Sequence, residues 1–159
     1  IALQSAFVLL AGLLLRPVWA VASVGVYLLL GSIGLPLFAG GSGGVAHLVG
    51  PTGGYLIGYV PAVVVTSLIA SGSVVRLVSA ALLGSVAIYA LGVPWLATVQ
   101  DLPVTQAVAL GLLPFLPGDA IKLVAVVLVA RRSRSLFPIP PGAADRDPSA
   151  GNQTHRGGS

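Results

Sequence analysis

The stretch FAGGSGGVAHLVGPTGGYLIG, Phe38 to Gly58, decides how this chain is read. Glycines at 40, 41, 43, 44, 50, 53, 54 and 58 and a proline at 51 lie between strongly apolar runs. A loop this rich in glycine holds its backbone close to something, whether a phosphate, a catalytic group or an apolar molecule. Each alternative makes demands on residues elsewhere. A dinucleotide-binding fingerprint needs a strand before its glycines and an acid about 20 residues beyond them. Gly41-Ser42-Gly43-Gly44-Val45-Ala46 has the spacing, but no strand precedes it and the first acidic residue is Asp101. A phosphate-binding loop needs Gly-Lys-Ser/Thr, and the first lysine is Lys122.

Gly40-Gly41-Ser42-Gly43 also fits the serine motif of intramembrane proteases. Such a serine needs a histidine base on another helix. The histidines are His47, in the same loop, and His155, near the C-terminal end. Ser42 is therefore left without a base. There are no cysteines, which excludes disulfides, thiolate catalysis and Cys-ligated metals. His47 has no partners for a metal site and reads as a polar residue at a cavity rim.

The flanks decide the fold class. The chain is 56% hydrophobic and 8% charged, against about 25% charged residues in soluble domains. That predicts an all-α membrane protein, because an open sheet edge in lipid leaves backbone groups unpaired. Five apolar spans are expected: Ile1–Leu15, Val18–Leu35, Tyr55–Ala70, Val74–Leu91 and Val104–Ala130, with a loop over Trp95–Pro103. The last span is interrupted by Pro114, Pro117 and Gly118. Residues 1–132 form the transmembrane domain. The remainder, 133–159, is Pro-, Gly- and Asp-rich beyond Phe137 and reads as a disordered cytoplasmic tail.

Charge sets the orientation. Up to Gln100 the only charges are Arg16 and Arg76, and Arg131, Arg132 and Arg134 cluster after the last span. With that cluster in the cytoplasm by the positive-inside rule, alternation puts Arg76 and Arg16 inside as well. Asp101 and the glycine loop, residues 38–54, fall outside. Ile1 then also falls outside. A cytoplasmic N-terminus would need one more helix before it, which fits a first span clipped to about 22 Å and the absence of methionine.

Asp119 and Lys122 carry the most information. They are spaced i, i+3 on the last span and share a helix face. At 1.5 Å per residue they lie about 18 and 13 Å before Arg131, within the outer half of the membrane. Ionisable groups there are costly and mark a functional site or pathway, although a mutual ion pair that packs the bundle has the same pattern. The Pro114–Gly118 break beside them favours a binding cavity. In Gly50-Pro51-Thr52-Gly53-Gly54-Tyr55, Thr52 is placed to cap a helix starting near Gly53. The backbone N–H groups of that start would suit a carboxylate, with Tyr55 at the rim.

With these residues in view, LPLFAGGSGGVAHLVGPTGGYLIGY and PFLPGDAIK together resemble BioY, the biotin-binding S component of energy-coupling factor (ECF) transporters. The likeness covers about residues 1–132. It implies a six-helix S-component bundle, of which five helices are present here, in a bacterial plasma membrane. It implies biotin as transported substrate, with no cofactor and no reaction catalysed. It also implies a transmembrane coupling subunit and two ATPase subunits as partners, and no nucleic acid. In this reading Asp119 accepts from the ureido N–H groups and Lys122 neutralises it and donates to the ureido carbonyl. The valerate carboxylate points to Thr52 and Gly53. Phe38 and Tyr55 pack on the apolar body, and Gly40 and Gly41 belong to the loop that closes over it.

Overall fold

The computed structural model describes residues 2–136, which are helical apart from loops and one isolated bridge between Phe38 and Ser42. The helices are α1 (Ala2–Leu14), α2 (Pro17–Ser32), α3 (Ala46–Val49), α4 (Gly53–Ile69), α5 (Val74–Val99), α6 (Val104–Gly111) and α7 (Leu116–Leu136). Local signals explain most of the boundaries. Pro17 stands in the first turn of α2, where its missing N–H costs nothing. The Ser73 hydroxyl caps α5 by accepting from the Arg76 backbone N–H at 3.3 Å. Gly34, just past α2, turns the chain with φ +106°.

Each of the five expected spans is helical. The last is α6 and α7 together, bent by 52° at the proline-bearing break. The expected Trp95–Pro103 loop is corrected: α5 continues through Pro94 to Val99, and only residues 100–103 connect it to α6. A proline within a helix removes one ladder hydrogen bond, and tertiary contacts offset that loss here. The Trp95 indole N–H donates to Gly50 O at 2.9 Å, and Gly92 lies against the Tyr55 ring. At the other end α7 runs past residue 132 to Leu136. Most of the segment assigned to a tail, 137–159, lies outside the described residues.

α4 is the centre of the bundle and packs on α1, α2, α3 and α5, while α7 packs on α1 and α5. One core cluster joins Val8, Ala20, Val24, Phe38, Tyr55, Tyr59, Val63 and Ile88. A second joins Leu9, Leu13, Leu77, Ala81, Val126 and Ala130. The outward faces carry exposed Leu3, Phe7, Val18, Trp19, Leu29, Val75, Val86, Ile121 and Val124. A water-facing surface does not expose this much apolar area, whereas a lipid-facing one requires it. α5 is by itself long and apolar enough to cross a membrane, and so is the bent α6–α7 pair.

Arg134 ties three elements together at one end of the bundle. Its Nε and Nη2 donate to Leu13 O at 3.1 and 2.5 Å, and Nη2 reaches Ala70 O at 3.5 Å. Leu13 and Ala70 stand at the C-terminal ends of α1 and α4. A cation there meets unpaired carbonyls and the negative end of each helix dipole. This contact brings the Arg16 turn, the turn before Arg76 and the end of α7 to the same end of the bundle.

The α4–α5 interface predicts a contrast between two glycines. A Cβ on Gly54 would collide with the Trp95 Cβ and lie 2.7 Å from Leu91 O, atoms that cannot step aside. A Cβ on Gly25, inside α2, would meet nothing within 4 Å. Gly54→Ala should lower thermal stability in detergent, by about 1–3 kcal/mol for an overpacked interface. Gly25→Ala should leave it unchanged or raise it by up to about 1 kcal/mol.

Candidate functional site

The glycine stretch folds into a short hairpin, a single helical turn and the start of α4. Phe38 N–H donates to Ser42 O at 2.8 Å and Gly41 N–H to Phe38 O at 3.1 Å. Gly40 and Gly41 form the tip with φ +76° and +71°, the left-handed region that glycine enters without strain. Both tip glycines are exposed, so they shape the loop and do not line a cavity. Phe38 is the loop's anchor. Only 4% exposed, its ring lies over Gly31, edge-on to Tyr27 at 5.7 Å and to His47 at 5.9 Å. The carbonyl before it, Leu37 O, accepts from Gln4 Nε2 at 2.9 Å and the Tyr27 hydroxyl at 3.2 Å. Hydrogen bonds from α1 and α2 thereby hold the loop down on the bundle.

Beneath the loop is a cavity of about 140 Å³ lined by Gln4, Phe38, His47, Thr52, Tyr55 and Tyr59, among others. Thr52 precedes α4, as expected, but its side chain makes no cap bond. The Thr52 hydroxyl donates back to His47 O at 3.4 Å instead. The backbone N–H groups of Gly53 and Tyr55 are taken locally, by Gly50 O at 3.0 Å and Thr52 O at 3.1 Å. The open row of donors expected at this helix start is therefore corrected: the tight Pro51 turn folds carbonyls back onto it. Gly53 is buried, and a Cβ there would collide with Leu48 O. Tyr55 is buried too, and its hydroxyl donates to Gly111 O at 3.0 Å, where α6 ends.

Asp119 and Lys122 meet as their spacing requires. Lys122 Nζ lies 2.7 Å from Asp119 Oδ1, with the side chains 18% and 15% exposed. The other carboxylate oxygen, Oδ2, accepts a hydrogen bond from the Tyr89 hydroxyl on α5. The group borders a narrow cleft with Leu9, Ile88 and Leu123. The Tyr55 and Tyr89 rings, edge-to-face at 6.1 Å, stand between this cleft and the cavity under the loop. Phe38, Thr52 and Tyr55 thus share one cavity, and Asp119 and Lys122 occupy an adjoining one.

Tyr89, Tyr59, Gln4 and Trp95 have no place in the sequence motifs. Their one signal is a polar atom inside an otherwise apolar helix. Ser42 donates to Ala39 O in its own turn at 2.7 Å, and the His47 ring packs on Phe38. No serine–histidine pair forms among the described residues, so Ser42 has no base there. Among the described residues no group of acids and histidines is placed to hold a metal.

The BioY family model matches residues 1–139. The chain belongs to the BioY family. It is 43% identical over 130 residues to a protein of Pyrococcus horikoshii named "Probable biotin transporter BioY", covering 82% of this chain and 77% of that one. It is 38% identical over 136 residues to "Biotin transporter BioY" of Thermotoga maritima, covering 84% and 80%. Its fold matches a crystal structure titled as the S-component for biotin from an ECF-type ABC transporter. The TM-score is 0.77 at 32% identity, over 83% of this chain and 74% of that one. The family is one of membrane transporters and not of enzymes.

The ion pair carries its own prediction. Lys122→Met leaves the largely buried Asp119 charge without its lysine, and should lower thermal stability by about 1–3 kcal/mol. Adding Asp119→Asn removes that charge and should recover part of the loss in a double-mutant cycle. Losses that simply add would show that the two side chains do not interact.

Proposed function

We propose that this chain is the substrate-binding subunit of an ECF-type importer, and that it captures biotin at the outer face of the membrane. Partner subunits, a transmembrane coupling protein and two ATPases, drive import. The curated relatives named biotin transporters and the structural likeness to a biotin S-component support the substrate. One observation carries the binding mode: an aromatic-walled cavity under a pinned glycine loop adjoins a carboxylate held by a lysine and a tyrosine.

Biotin has a polar bicyclic head and a carboxylate tail, and the chain offers complements to both. An ionised carboxylate only accepts, and each of its oxygens has two lone pairs. Asp119 therefore retains acceptor capacity for a ureido N–H beyond its bonds to Lys122 and Tyr89. Phe38 and Tyr55 offer aromatic surface to the apolar rings. The valerate carboxylate then extends toward the Thr52 side of the cavity, behind which Gly53 packs against Leu48, and away from the Asp119 charge. Gly40 and Gly41 permit the loop shape that covers the ligand.

The gathering of Arg16, Arg76, Arg131, Arg132 and Arg134 toward one end favours that end as cytoplasmic. The glycine loop, residues 38–54, is then extracellular. The transmembrane domain is assigned to 1–132, with the remainder a cytoplasmic extension.

Two measurements test this reading. Hydrogen bonds to a charged group contribute about 1.5–3 kcal/mol, so Asp119→Asn should weaken biotin binding by about ten- to a hundredfold. Affinity equal to the unaltered protein would remove Asp119 from the site. The chain contains no cysteine, so single cysteines report sidedness directly. In intact cells a membrane-impermeant maleimide should label Val45→Cys and leave Arg132→Cys unlabelled. The reverse pattern would invert the topology.

A further inference from the structure

The chain has four tyrosines, Tyr27, Tyr55, Tyr59 and Tyr89. Three of their hydroxyls are bonded: Tyr27 to Leu37 O, Tyr55 to Gly111 O and Tyr89 to Asp119. Among the described residues the Tyr59 hydroxyl is buried without a partner, in a residue that is 0% exposed. A buried hydroxyl with nothing to bond is a net cost that phenylalanine, with the same ring, would avoid. Packing alone therefore does not account for a tyrosine here.

Its position suggests what does. Tyr59 follows Tyr55 by one helical turn on the same face of α4 and forms part of the cavity wall beneath the glycine loop, with Gln4, Phe38 and Thr52. Tyr59 shares a core cluster with Tyr55 and Ile88, and Ile88 lines the cleft that holds Asp119. Tyr59 thus belongs to the cavity wall and to the core cluster that adjoins the cleft of the carboxylate to which the ureido N–H groups are assigned. A cyclic urea that gives an N–H to Asp119 presents its carbonyl oxygen beside that contact, and this oxygen needs a donor. Lys122 is engaged with Asp119 in the narrow cleft. The Tyr59 hydroxyl makes no bond among the described residues and belongs to a residue of the cavity wall, so it is a donor available to that oxygen.

We propose that the Tyr59 hydroxyl donates to the ureido carbonyl of the bound ligand, a contact that satisfies both groups and selects for a cyclic urea. This rests on the biotin reading above and assigns to Tyr59 the carbonyl contact first given to Lys122. A hydroxyl with no protein partner is preorganised for a ligand at some cost to stability.

The test is Tyr59→Phe in the full chain, purified in detergent, with biotin affinity and thermal stability measured together. The expected result is affinity weakened by about tenfold, the equivalent of one neutral hydrogen bond, with a melting temperature equal to or above that of the unaltered protein. Iminobiotin, protonated at neutral pH, has no carbonyl acceptor, so Tyr59→Phe should change its binding by less than about twofold. Unchanged biotin affinity in Tyr59→Phe, or a loss that comes with a lower melting temperature, overturns the proposal. A penalty equal for biotin and iminobiotin overturns the carbonyl assignment. If the unaltered chain binds no biotin, the substrate reading fails and the Tyr59 role falls with it. Biotin binding with an unaffected variant sinks the Tyr59 role alone.

Discussion

The close approach of α4 and α5 is the constraint on which the rest of the structure depends. Gly54 lies against Trp95, Gly58 against the Ile88 backbone, Gly84 against the Thr66 hydroxyl and Gly92 against the Tyr55 ring. Without Cβ atoms at these points the two backbones meet closely, and dispersion contacts replace the hydrophobic drive that lipid cannot provide. Thr66, fully buried, donates to Ala62 O at 2.7 Å, with Ala80 O across the seam at 3.4 Å. Both long helices contain a proline, Pro61 and Pro94, yet continue past it. The seam supplies the contacts that a proline-interrupted helix needs.

The polar groups are arranged around that seam. Tyr55 reaches from α4 across Gly92 to the end of α6, and Tyr89 reaches from α5 to Asp119 on α7. The two tyrosines therefore connect the glycine loop, the helix break and the ion pair through one edge-to-face contact. A site assembled this way is fixed by rigid helices, while the loop above it is pinned by Phe38 and by bonds to Leu37 O. Such an arrangement can admit a ligand at the loop side while the polar end remains preorganised, which limits the entropy lost on binding.

The other end of the bundle obeys different physics. There Arg134 gathers the carbonyl ends of α1 and α4; among the other described arginines, Arg16 lies in the adjoining turn, Arg76 in the first turn of α5, and Arg131 and Arg132 in the last helix. One end of the molecule is organised by cations meeting helix dipoles, and the other by aromatic rings over glycines. That polarity matches a protein whose two faces meet different partners.

Much of this was legible in the sequence because its causes are local. An apolar run too long for a soluble loop must be helical in lipid, so the spans followed from composition. The i, i+3 spacing of Asp119 and Lys122 dictates their contact on any helix, and Pro114 and Pro117 mark the bend. The glycine loop had to be neither a phosphate cradle nor a catalytic turn, since lysine, flanking strand and base are all missing. Tertiary structure decided the rest, where distant residues compete for the same atoms. Trp95 and Tyr55 carry α5 past Pro94, and the carbonyls of the Pro51 turn take the N–H groups that Thr52 seemed to leave free. Tyr89, 30 residues from Asp119, completes the carboxylate's partners, and Tyr59 is left without one. A sequence shows which polar atoms a chain carries. Which of them are satisfied depends on what the fold brings within about 3 Å, and that is decided only when the helices pack.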